Sequence, residues 1–222
     1  MDIVEQIRQS AANLHNALSE KGIDPLQPLL IANAALVHLD LLVNWLPLGD
    51  PALMGAQALF DQQSGTILCG SQGSSGERAL LIAHEIGHAC LHAGSSSCSE
   101  GEIDPSRTME TAPVGLQRVE DYGARERREL HANVFARELI FPRTLARRLY
   151  LGGNINASEI AQKMELPLIL VRQQLFDALL LPPILPAAAE EPKETIVPRP
   201  DPSQDRAAAH RGSPFLYGVT GN

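Results

Sequence analysis

Residues 79–91 read Ala79-Leu80-Leu81-Ile82-Ala83-His84-Glu85-Ile86-Gly87-His88-Ala89-Cys90-Leu91. The run is apolar except where it carries His84, Glu85 and His88, which stand in the H-E-x-x-H pattern. An α-helix puts residues four apart on one face, separated by a rise of roughly 6 Å. Both imidazoles can then reach one Zn²⁺. Glu85 leaves the helix at an angle suited to a water on the metal, not to the metal itself. Leu80, Leu81, Ile82, Ile86 and Leu91 supply a buried back. The plain alternative is a surface helix with two ordinary histidines. Against it, three metal-competent side chains beside so apolar a face would each need a partner when buried.

A zinc centre of this kind needs a third protein ligand and an open position. The metzincin layout would put a glycine at 91 and a histidine at 94, where this chain has Leu91 and Gly94, so that class is excluded. His92 lies four beyond His88, but three ligands in line along a straight helix would span roughly 12 Å, too far for one metal. His92 is therefore expected to support the site from behind or to be structural, and the third ligand must come from elsewhere.

A second helix is expected over residues 126–142, with Ala132, Phe135, Ala136, Leu139 and Ile140 on one face. Glu129 belongs to that face, and a carboxylate there is costly unless it is paired or bound to metal. Asn133 sits one turn later and could hydrogen-bond it. Glu126, Glu138 and His131 are expected on the charged, solvated faces.

Together the two segments resemble the ImmA/IrrE family of metallopeptidases. The resemblance is carried by Ile82-Ala83-His84-Glu85-Ile86-Gly87-His88 with His92, and by Glu129, Ala132, Asn133, Phe135, Ala136, Leu139 and Pro142 in an E-x-x-A-N-x-F-A-x-x-L-x-x-P pattern. It implies His84, His88 and Glu129 as zinc ligands, Glu85 as general base, and a zincin-like, gluzincin-type core. It also implies a protein substrate, such as a helix-turn-helix repressor cleaved in a stress or DNA-damage response. The connection over 93–125 is longer and more polar than the pattern leads one to expect, which keeps Glu126 in play as an alternative third ligand. Tyr122 and His131 are candidate donors to a developing oxyanion.

Composition agrees with a soluble globular chain: 222 residues, 44% hydrophobic, 20% charged, with a formal net charge of −8. That charge argues against general attraction to nucleic acid or membranes. Three cysteines (Cys69, Cys90 and Cys98) without a C-x-x-C spacing point to reduced thiols and a cytoplasmic setting, with Cys90 a small core residue. The first ten residues lack the basic and apolar regions of a signal peptide. The leucine-rich stretch 29–48 is broken by Asn33, His38, Asp40, Asn44 and Pro47, so a buried helix is expected and not a membrane span.

The expected fold is α+β and mainly helical. Helices cover 2–21 and 25–40, and short strands follow over 41–70, with a hairpin turning at Asp61 to Gly65. By analogy that hairpin could hold an extended substrate by backbone pairing; a purely structural role is the alternative. A Gly/Ser loop at 70–76 leads into the metal helix, and 93–112 reads as a polar insertion. A helix runs from 142 to about 150, closing a metallopeptidase domain at 1–150. Residues 151–181 form a helix-turn-helix-like module in which Arg172 is the only base of the second helix, so packing is favoured and DNA contact left open. Seven prolines over 182–203 mark a linker. The tail, 204–222, has a weak resemblance to the start of a UvrD-like helicase domain, without a Walker lysine, as if from a longer fusion. The competing function is a zinc-containing binding or regulatory module, fused to or partnering a helicase and without proteolytic activity.

Overall fold

The structure is a computed structural model and describes residues 2–47, 49–92 and 124–182. Tyr122, Cys98, the 93–112 insertion and the tail at 204–222 lie outside those residues, as does all of the linker after Pro182. Among the described residues the architecture is α+β, with seven α-helices and one small mixed sheet.

Helix α1 (Ile3–Glu20) buries Ile7, Ala11 and Leu18 on one face. Helix α2 (Pro28–His38) starts at a proline, whose missing N–H costs nothing in a first turn. Strands β1 (Leu42–Leu46), β2 (Ala58–Asp61) and β3 (Thr66–Gly70) form a sheet in the order β1-β3-β2. The expected hairpin is β2–β3, antiparallel, and the Asp61 carboxylate braces its turn by accepting from the Gln63 N–H (3.1 Å) and the Ser64 hydroxyl (2.6 Å). β1 pairs with β3 in parallel, Trp45 opposite Cys69. Ala58, Phe60, Ile67 and Cys69 alternate along the buried face, as the two-residue period of a half-covered sheet requires.

The metal-motif helix, α3 (Ser75–Leu91), packs against α2, α4 and the sheet. A capping box sets its start: the Ser74 hydroxyl accepts from the Glu77 N–H (3.2 Å), and the Glu77 carboxylate accepts from the Ser74 N–H (2.8 Å). Helix α4 (Ala124–Ile140) crosses α3, and α5 (Arg143–Arg147) follows after Pro142. The continuous helix expected to Tyr150 instead widens into a π turn at Arg148–Gly152.

Helices α6 (Ala157–Met164) and α7 (Leu168–Leu180) are joined at Glu165, which is held in the left-handed region at φ 53°. Their turn sits on the start of α3. The Glu165 carboxylate accepts from the Ser75 N–H (3.2 Å) and hydroxyl (2.8 Å), and its carbonyl accepts from the Ser74 hydroxyl (3.2 Å). An acid is well placed there, because a helix N-terminus carries partial positive charge.

A buried ionic network binds α7 to α1, α4 and α5. Asp177 accepts from both Arg137 and Arg8, the latter at 3.3 Å. Glu138 accepts from the Arg143 N–H (2.8 Å) and the Gln174 amide (2.9 Å), and Arg143 also reaches Glu5 at 2.5 Å. This corrects the expectation for Glu138, which is not on a charged face but only 1% exposed. Burial pushes its carboxyl upward against the pull of Arg143, and burial lowers the Arg137 guanidinium to about 10 against the pull of Asp177. Cys90 is also corrected: it lies exposed at the end of α3, not in the core. Among the described residues no helix is long and apolar enough to cross a membrane.

Candidate metal centre

His84 and His88 leave α3 one turn apart, and Glu129 meets them from α4. All three are buried. The Nε2 atoms of His84 and His88 are 3.0 Å apart, and Glu129 Oε2 lies 3.3 Å from the first and 3.4 Å from the second. Donors held about 2.0–2.1 Å from a tetrahedral centre stand about 3.3 Å from one another. The three atoms therefore already form one face of such a tetrahedron, and two imidazoles with a carboxylate suit a borderline-soft divalent ion.

The tautomers follow from the neighbours. His84 Nδ1 lies 2.9 Å from Asn133 Oδ1, an acceptor, so Nδ1 carries the proton and Nε2 presents its lone pair to the centre. Asn133, expected to serve Glu129, presents its amide oxygen to His84 Nδ1 and so orients a histidine. Burial alone would raise the Glu129 carboxyl, but the His84 and His88 imidazoles beside it hold it well below the usual carboxylate range. It is an anion, as a ligand must be.

Glu85 is fully buried on α3 beside the donor face. Its charge adds to burial in pushing the Cys69 thiol, on β3, up to about 12, which leaves that thiol protonated and inert. Glu126 is exposed on α4 and stands outside the donor group. His92 Nε2–H donates to the Arg128 carbonyl (3.2 Å), and its ring lies 5.5 Å from that of His88 and stacks on His131 at 6.0 Å. That places His92 behind the ligands and His131 behind His92, with neither in the donor group.

Gly87 stands in the motif, but periodicity assigns it no role. A glycine inside so strong a helix costs about 1 kcal/mol against alanine, and that cost was the available signal. A Cβ at Gly87 would stand 3.0 Å from Ala132 Cα, 3.2 Å from the Ala132 carbonyl oxygen and 3.3 Å from Phe135 Cβ. These neighbours are mostly α4 backbone, so the helix itself would have to move, carrying Glu129 and Asn133 with it. Gly87→Ala is expected to weaken metal binding roughly 10–100-fold, the usual cost of disturbing the groups around a metal. Its stability should fall by about 1–3 kcal/mol, less the helix-propensity gain. Metal titration alongside chemical denaturation reads both; unchanged affinity would show that α4 absorbs the methyl without shifting its ligand.

Comparison with curated proteins finds no match. A family model described as Peptidase_M78, IrrE N-terminal-like domain, matches residues 39–176, which include α3, α4 and every member of the donor group. More than half of the chain lies within that match, and the chain belongs to the IrrE N-terminal-like family of metallopeptidases.

Proposed function

We propose that this chain is a zinc-dependent endopeptidase that cleaves a regulatory protein, such as a helix-turn-helix repressor, in a cytoplasmic response to stress or DNA damage. The observation that carries the zinc chemistry is the triangle of donor atoms, 3.0–3.4 Å on a side, with Glu85 fully buried on the same helix. Family membership supports the protease reading, and the arrangement of two helices beside a small sheet supports a zincin-like core.

His84 and His88 would hold the ion through Nε2 and Glu129 through its carboxylate, with Asn133 keeping His84 in the ligating tautomer. Bound zinc would supply Lewis acidity, lowering the pKa of water towards about 7 and polarising a peptide carbonyl. The Glu85 carboxylate takes the proton that water loses as its oxygen bonds the carbonyl carbon. It then delivers that proton to the departing amine nitrogen. We assign α6 and α7 a packing role. Their turn is occupied by α3, and α7 exposes Ile169, Phe176 and Leu180 where a DNA reader would carry bases.

The test is metal analysis of the full chain together with cleavage of purified helix-turn-helix repressors from the same cell. One zinc per chain is expected. Chelation should abolish cleavage and zinc should restore it, while His84→Ala should lose both metal and activity. A chain that binds no divalent metal, or that cleaves equally well after chelation, would overturn the proposal.

A further inference from the structure

Away from the metal centre, α1 and α5 flank an open pocket of about 330 Å³, within the usual size range of small-ligand sites. Most of its wall comes from α1 and Pro25, which precede the family match, so it is a feature separate from the peptidase centre. We propose that this cavity binds a small polyhydroxylated metabolite carrying one anionic group, of the chemical class of sugar phosphates and sugar acids.

The wall holds one cation, Arg148, and no carboxylate, which matches a single negative charge. Asn13 and Asn16 contribute amides, and Ser19 and Thr144 contribute hydroxyls. Such groups both donate and accept, as a sugar hydroxyl does. Ser19 Oγ is buried and has no hydrogen-bond partner among the described residues, a cost a ligand hydroxyl would remove. Pro25 and Pro142 supply apolar surface for the C–H face of a sugar.

His15 adds direction. Its Nδ1–H donates to the Leu139 carbonyl at 2.8 Å, which leaves the Nε2 lone pair for a hydroxyl donor. Burial keeps the ring below its usual pKa and the Arg148 charge adds to the effect, so the imidazole is a neutral acceptor at pH 7. The pocket therefore pairs an exposed cation, Arg148, with a buried acceptor held in place by Leu139, and the amides lie along the same wall, with Asn13 Oδ1 accepting from the Gln9 amide at 2.8 Å.

Isothermal titration of the full chain with ribose 5-phosphate, gluconate, ribose and inorganic phosphate tests this. Ribose 5-phosphate or gluconate should bind at least tenfold more tightly than either ribose or phosphate, and whichever of the two is tighter identifies the anionic group. Arg148→Gln should weaken that ligand about tenfold while leaving ribose unchanged, and Asn16→Leu should weaken it while leaving phosphate unchanged. Both sites are exposed, so folding is preserved. The proposal is overturned if neither compound binds better than inorganic phosphate, or if either substitution leaves the tighter ligand unaffected. Its failure would leave the metallopeptidase reading intact, because none of His84, His88 and Glu129 lines the cavity.

Discussion

Glu85→Gln is expected to hold zinc as tightly as the parent chain and to cleave its substrate roughly 10²–10⁴-fold more slowly, the usual worth of a positioned general base. The substitution keeps shape and volume in a fully buried position, so α3 should not repack. The donor atoms belong to residues 84, 88 and 129, and none is altered. The amide cannot accept the proton that the carboxylate takes from water. A paired measurement of bound zinc and kcat/KM distinguishes this from simple unfolding. Cleavage at the parental rate, with zinc in place, would remove Glu85 from the chemistry and favour a metal of structural purpose.

Gly76→Ala should have the largest effect on stability. A Cβ there would stand 2.2 Å from the Glu165 carbonyl oxygen, 2.6 Å from its carbon and 3.0 Å from the Met164 carbonyl oxygen. All three are backbone atoms in the α6–α7 turn, and no rotamer change relieves the overlap. The turn must lift away from α3, which would break the Glu165 bonds to Ser74 and Ser75. We expect a loss of about 3 kcal/mol or more, at the upper end for overpacking and well beyond the roughly 1 kcal/mol that alanine gains in helix propensity. Gly152→Ala is the control: nothing lies within 4 Å of its added carbon, so its stability should change by no more than about 0.5 kcal/mol. Equal denaturation midpoints for the two variants would show that the turn is not seated on α3.

How much of this could be read in the chain depended on range. His84, Glu85 and His88 sit within five residues, and helical periodicity is enough to place them together. Glu129 was legible because it interrupts an apolar face, and only a partner or a metal justifies that. Glu138 and Arg137 were not legible. By spacing alone Glu138 fell with the charged positions of α4, and what buries the pair is Asp177 and Gln174 from α7, Arg143 from α5 and Arg8 from α1. No local pattern announces Gln174, 36 positions from Glu138, or Asp177, 40 positions from Arg137. The β2–β3 hairpin was visible from its turn, whereas the parallel pairing of β1 with β3 depends on a crossover that residue periods do not encode. Asn133 was expected beside Glu129; its contact with His84 required knowing how α4 crosses α3.

Helix α4 bears ligand-side groups in one half, Glu129 and Asn133, and the salt-linked pair Arg137 and Glu138 in the other. The two halves share one continuous helix, so a displacement at one end is expected to be felt at the other. Substitutions chosen to harden the scaffold around Asp177 are therefore expected to shift the reach of a carboxylate some two and a half turns away, and metal affinity measured across such variants checks it.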